Sequence, residues 1–121
     1  MKRFIVVRTQ FQGVHCYPNA PDRVEFLRSP HRHVFNVEAQ IEVFHDDREL
    51  EFFIVKESLD RFIHTTPQFL EVMHTYQSTM SCEQMAALVK DHLHALYGSN
   101  RLINVAVFED DQNGALLRED L

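Results

Sequence analysis

His15, His31 and His33 are the residues in this chain whose type and spacing point most directly to chemistry. His31 and His33 form an H-x-H pair at the start of an alternating segment. Side chains two apart on a strand share a face at roughly 6.5–7 Å, so both imidazoles can reach one small cation. His15 ends the preceding alternating segment and completes a tripod. Three neutral nitrogen donors with an open fourth position are the donor set of catalytic rather than structural zinc. The competing reading is three hydrogen-bonded histidines in a chain that holds eight.

The phase of the two segments favours the tripod. Phe35, Val37, Ala39, Ile41 and Val43 are apolar, whereas Asn36, Glu38, Gln40 and Glu42 are polar. His31 and His33 share the odd, apolar phase. In the first segment Ile5, Val7 and Phe11 alternate with Arg8, Gln10 and Gln12, and His15 again falls in the apolar phase.

The elements that must position these residues follow from periodicity. Residues 3–15 and 33–44 read as strands. His45-Asp46-Asp47-Arg48 is a polar turn, and Leu50 to Val55 reads as a third strand, making 33–55 a long hairpin. Between the first two strands lies a loop of about fifteen residues with Pro18, Pro21 and Pro30, a length that is usually functional. Leu59, Phe62 and Ile63 share a helical face up to the Thr65-Thr66-Pro67 break. A short helical stretch follows through Phe69, Leu70 and Met73. Ser81-Cys82-Glu83-Gln84 is a capping box. It opens a helix with a stripe of Met85, Leu88, Val89, His92 or Leu93, and Leu96, ending near Gly98. Ile103, Val105 and Val107 alternate as a fourth strand, with Glu109 in the same phase at its end.

This order predicts one α+β domain over residues 1–121, a four-stranded antiparallel sheet with two helices on one face. Leu102, Ala106 and Phe108 give the other face apolar residues too, which predicts a second layer supplied by a homo-oligomer. The net charge of −6 argues against nucleic acid as a partner. Two cysteines, Cys16 and Cys82, give no disulfide framework, which suits a reducing cytosol. Only four apolar residues follow Met1-Lys2-Arg3, and no apolar run approaches spanning length. The expectation is a cytoplasmic protein with no membrane partner.

In order along the chain, five segments resemble 6-pyruvoyltetrahydropterin synthase and its bacterial relative 6-carboxytetrahydropterin synthase. Phe11-Gln12-Gly13-Val14-His15 resembles that family's F-x-A-x-H, and His31-Arg32-His33-Val34-Phe35-Asn36-Val37 its H-G-H-N-Y-x-V. Phe53 to Leu59 falls where the family reads D-F-x-x-L. Ser81-Cys82-Glu83-Gln84 resembles T-T-E-N, and Val107-Phe108-Glu109 with Gly114 the closing V-x-E-T segment. The resemblance implies the tunnelling fold, in which sheets join into a trimeric or hexameric barrel with active sites at subunit interfaces. It implies zinc on His15, His31 and His33, and a lyase acting on 7,8-dihydroneopterin triphosphate. It assigns Glu109, with Cys82 and Glu83, to binding a pterin or purine-like molecule. A carboxylate suits that role, since it accepts two hydrogen bonds side by side from the adjacent N–H and NH2 of a pterin edge.

The departures from that pattern concern the acid/base set. The family's catalytic cysteine lies four or six residues before H-x-H, where this chain has Leu27 and Glu25. Cys16 follows the first histidine, and alternation turns it to the opposite face as a small buried hydrophobe. Glu25 reads either as a general base near the metal or as a solvated loop acid. The family's Asp-His dyad has no clear counterpart; Glu71 and His74 are the nearest residues, with His74 the proposed catalytic one. Arg32 replaces the glycine between the two ligands. His64, His92 and His94 lie on helices and read as structural or solvent-exposed. A non-catalytic pterin- or purine-binding zinc protein of the same fold is the alternative function.

Overall fold

A computed structural model describes residues 1–119. Strands β1 (Arg3–His15) and β2 (His31–Val43) pair antiparallel along their whole length, from Arg3 opposite Val43 to His15 opposite His31. Alternation sets their faces: Val7, Phe11, Phe35, Val37, Ala39 and Ile41 are buried in the odd phase. Strand β3 (Ile103–Glu109) pairs with β2, and β4 (Asn113–Leu117) pairs with β3, all antiparallel in the order β1-β2-β3-β4.

Three helices cover the odd face. Helix α1 (Phe52–Thr65) buries Val55, Leu59 and Ile63, one residue per turn. Pro67 stands at the first turn of α2 (Pro67–His74), which buries Phe69 and Val72. Helix α3 (Cys82–Tyr97) opens with the expected capping box, Ser81 accepting from the Gln84 N–H and Gln84 accepting from the Ser81 N–H. It buries Met85, Ala86, Val89 and Leu93 and stops at Gly98, whose φ of 106° suits glycine. The core lies between these helices and the odd face of the sheet. No described helix packs on the even face, where Ala106 is buried and Val6 and Leu116 are exposed.

The α+β class, the antiparallel four-stranded sheet and the one-sided helices match the expectation, with three corrections. Leu50 to Val55 is not a strand: α1 starts at Phe52, and the Glu51 carboxylate caps it by accepting from the Phe53 and Ile54 N–H groups. The expected hairpin over 33–55 therefore does not exist, and β2 lies between β1 and β3. The stretch around Phe69 is a helix in its own right, so three helices rather than two cover the sheet. The segment from 103 to 109 is the third strand, and the fourth, β4, is one the alternation did not reveal.

The long loop between β1 and β2 folds around a 3-10 segment, Asp22–Arg28. The Tyr17 N–H donates to the Leu27 carbonyl at 2.7 Å and Arg28 Nε to the Ala20 carbonyl at 2.8 Å. This closes the loop back toward the strand ends that carry the histidines.

Candidate metal centre

The strand register assembles the site. His15 lies opposite His31, Gly13 opposite His33, and Glu109 opposite Phe35. All of these belong to the helix-covered face. The ring centroids of His15, His31 and His33 lie 4.7, 5.3 and 5.0 Å apart. Phe35 meets His15 and His33 edge-on and stacks on Phe11, so the cluster sits on an apolar aromatic floor.

Each ring is held by its Nδ1. His15 Nδ1 lies 2.8 Å from the Met80 carbonyl, His31 Nδ1 2.9 Å from the Ser29 carbonyl, and His33 Nδ1 2.7 Å from Asp110 Oδ2. A carbonyl or carboxylate oxygen only accepts, so in each case Nδ1 carries the proton and donates it. In the neutral ring Nε2 is then a lone pair. This is how metal-binding histidines are oriented by their outer partners. Asp110 is itself fixed: its Oδ1 accepts the Val34 N–H at 2.9 Å, and its own N–H donates to the Val34 carbonyl. Its φ of 54°, like the 57° of Asp111, is a left-handed conformation that aspartate tolerates in a turn. The His33 hydrogen bond and the Val34 N–H hold the Asp110 carboxyl below its ordinary pKa.

The buried Nε2 atoms of His15 and His33 have no hydrogen-bond partner. Glu109 Oε2 lies 2.9 Å from the first and 3.6 Å from the second, without hydrogen-bonding geometry. One ligand atom from each of His15, His31, His33 and Glu109 falls within 4.8 Å of all the others. Lone pairs and a carboxylate oxygen gathered this closely repel unless a cation stands among them. The four residues could therefore hold a metal ion, and their nitrogen and oxygen donors suit a divalent first-row metal.

A cleft of about 700 Å³ opens beside the cluster, lined by His15, His31 and Glu109. Cys82 and Glu83 from the start of α3, Leu27 from the loop and Asn113 and Gly114 from β4 line it too. The structure thus brings Glu109, Glu83 and Cys82 together with two of the histidines. Burial pushes the Cys82 thiol up to about 12, and the charges of Glu109 and Glu83 add to the shift. It stays a protonated thiol at neutral pH.

Cys16 needs a correction. It lines the cleft and is half-buried, because β1 ends at His15 and alternation no longer governs the next residue. Glu25 is exposed on the 3-10 segment and does not line the cleft; the residue that does is Leu27. His74 is exposed at the end of α2, in a separate hollow with Gln12, Arg32 and Tyr76, and Glu71 is exposed as well. Within one chain, neither Glu25 nor His74 joins the histidine cluster. Of the remaining histidines, His64 bonds the Asp60 carbonyl, His92 stacks on Phe62 at 4.0 Å, and His94 meets Glu119.

The residues that sequence reasoning missed are those that orient the rings. Asp110 had a weak signal, as one of two acids after the last in-phase residue of a strand. The Ser29 and Met80 carbonyls had none, since any residue supplies a carbonyl.

Among the described residues no helix is long and apolar enough to cross a membrane. No protein-family model matches the chain, and no curated protein matches it either.

Proposed function

We propose that this chain is a zinc-binding, pterin-processing lyase resembling 6-pyruvoyl- and 6-carboxytetrahydropterin synthases, acting on 7,8-dihydroneopterin triphosphate. The observation that carries the proposal is the convergence of one ligand atom from each of His15, His31, His33 and Glu109 beside a cleft that His15, His31 and Glu109 line. His15, His31 and His33 would hold the zinc. Bound there, the ion supplies a Lewis acid for the hydroxyls of the substrate side chain. Glu109 accepts hydrogen bonds from the ring edge, and Cys82 and Glu83 line the same pocket. At about 700 Å³ the cleft has the volume of a small-molecule site. Glu25 and His74 are the proposed proton-transfer residues, acting on a cleft of a neighbouring subunit in a ring-shaped homo-oligomer. The protein acts in the cytoplasm.

A second reading, a non-catalytic pterin- or purine-binding zinc protein, is favoured by one fact. Both proposed proton-transfer residues are exposed and away from the cluster in a single chain. Incubation with 7,8-dihydroneopterin triphosphate, following released triphosphate and pterin fluorescence, separates the two. Release that is lost in His33→Ala supports the lyase. Tight binding without release supports the binder, and neither binding nor release contradicts both.

A further inference from the structure

We infer that Glu109 alternates between two positions, one as a fourth ligand of the metal and one on the ring edge, so that metal and ring compete for a single carboxylate. The ring position rests on the proposed function; the metal position stands on the structure of the cluster.

Bonds of 2.0–2.1 Å in a tetrahedral zinc site set neighbouring ligand atoms about 3.3 Å apart. The separations of Glu109 Oε2 from His15 Nε2 and His33 Nε2, 2.9 and 3.6 Å, bracket that value. Neither pair is a hydrogen bond, and both nitrogens are otherwise without partners. A carboxylate oxygen facing two lone pairs is an arrangement that a cation between them explains. Charge agrees as well: with neutral rings, Glu109 and the Asp110 carboxylate on His33 supply two negative charges, the complement of a divalent ion.

The second position is accessible. The Glu109 side chain is 30% exposed and lines the cleft at the end of β3, so it can rotate without disturbing the core. Accepting the paired donors of a pterin edge uses both carboxylate oxygens. Turning both oxygens toward those donors in the cleft swings Oε2 away from the point between His15 and His33. The metal centre without a ligand in the cleft is therefore closed by four protein groups, and ring binding frees the fourth position. By linkage the antagonism is reciprocal: ring weakens metal and metal weakens ring by the same factor.

The test is zinc affinity, measured by competition with a chromophoric chelator, in the presence and absence of saturating pterin, the ring without a side chain. Pterin should weaken zinc binding by the unmodified protein about tenfold, within the usual range of such couplings. In the cobalt-substituted protein it should also shift the visible absorption band. Glu109→Gln should weaken zinc about ten- to a hundredfold even without pterin. Pterin that binds yet leaves both zinc affinity and the cobalt band unchanged overturns the inference, and this measurement needs no variant. If pterin does not bind at all, the ring position and the proposed function fail together. The Glu109→Gln zinc affinity then decides the metal position alone, wild-type affinity overturning it.

Discussion

At the scale of single residues, the site is defined by what holds each ring rather than by the rings alone. His15 and His31 lean on backbone carbonyls and His33 on a carboxylate. Asp110 is the one anchor that a side-chain substitution can remove. Asp110→Ala should lower metal affinity about ten- to a hundredfold, since loss of an outer hydrogen bond frees the ring and reduces its basicity. Asp110→Asn, which keeps an acceptor oxygen, should recover part of that loss; chelator competition on both variants checks it. Cys82 offers a separate check. With its thiol pushed up to about 12, it should resist alkylation by iodoacetamide at pH 8 in the folded protein and react after unfolding.

At the scale of elements, the site depends on a close approach. A Cβ on Gly13 would fall 2.4 Å from Val72 Cγ1 and 3.2 Å from the Val72 carbonyl oxygen. Val72 is fully buried on α2, so it has nowhere to go. Gly13→Ala should lift α2 off β1 and destabilise the fold by about 1–3 kcal/mol, read from the urea midpoint. The H-x-H pair, the strand phases and the capping box of α3 were all legible in the sequence, because alternation and capping are local. Leu50 to Val55 was not. Phe52, Phe53 and Ile54 are exposed on the first turn of α1, which breaks the helical stripe where it should begin. A six-residue stretch with five apolar residues then reads equally well as a strand. Strand β4 escaped for the opposite reason. Asn113-Gly114-Ala115-Leu116-Leu117 has no β-branched residue, and only its pairing with β3 makes it a strand. The exposed positions of Glu25 and His74 depend on how loop and helix pack, which spacing does not encode.

At the scale of the whole molecule, charged groups tie the sheet ends to the loops and helices, and they set the pH window of stability. Glu42 accepts the Leu102 N–H and meets Lys2, and Glu49 accepts the Phe44 N–H and meets Arg101; both carboxyls lie below their ordinary value of 4.5. A depressed carboxyl contributes stability above its unfolded pKa and loses it as pH falls through the folded one. Burial lowers the His94 pKa, but bonds to Glu119 and the Gly98 carbonyl outweigh it and raise the value above 6.5. Its contribution is full below pH 6.5 and is lost as pH rises through the folded value. Thermal melts should therefore show a loss of stability below pH 4.5 that Glu42→Gln reduces, and a loss above pH 6.5 that His94→Gln removes. Among the described residues, strands β1 and β4 are the edges of the sheet, and their pairing between chains would close the proposed ring. Sedimentation equilibrium should give a trimer or hexamer at micromolar concentration, and a monomer would contradict that assembly. The central claim is that His15, His31 and His33 hold a metal. Elemental analysis of purified, zinc-equilibrated protein tests it most directly. One zinc per chain is expected, falling clearly below that in both His31→Ala and His33→Ala while the fold, followed by circular dichroism, persists. Substoichiometric zinc in the unmodified chain, or unchanged zinc in both folded variants, would contradict it.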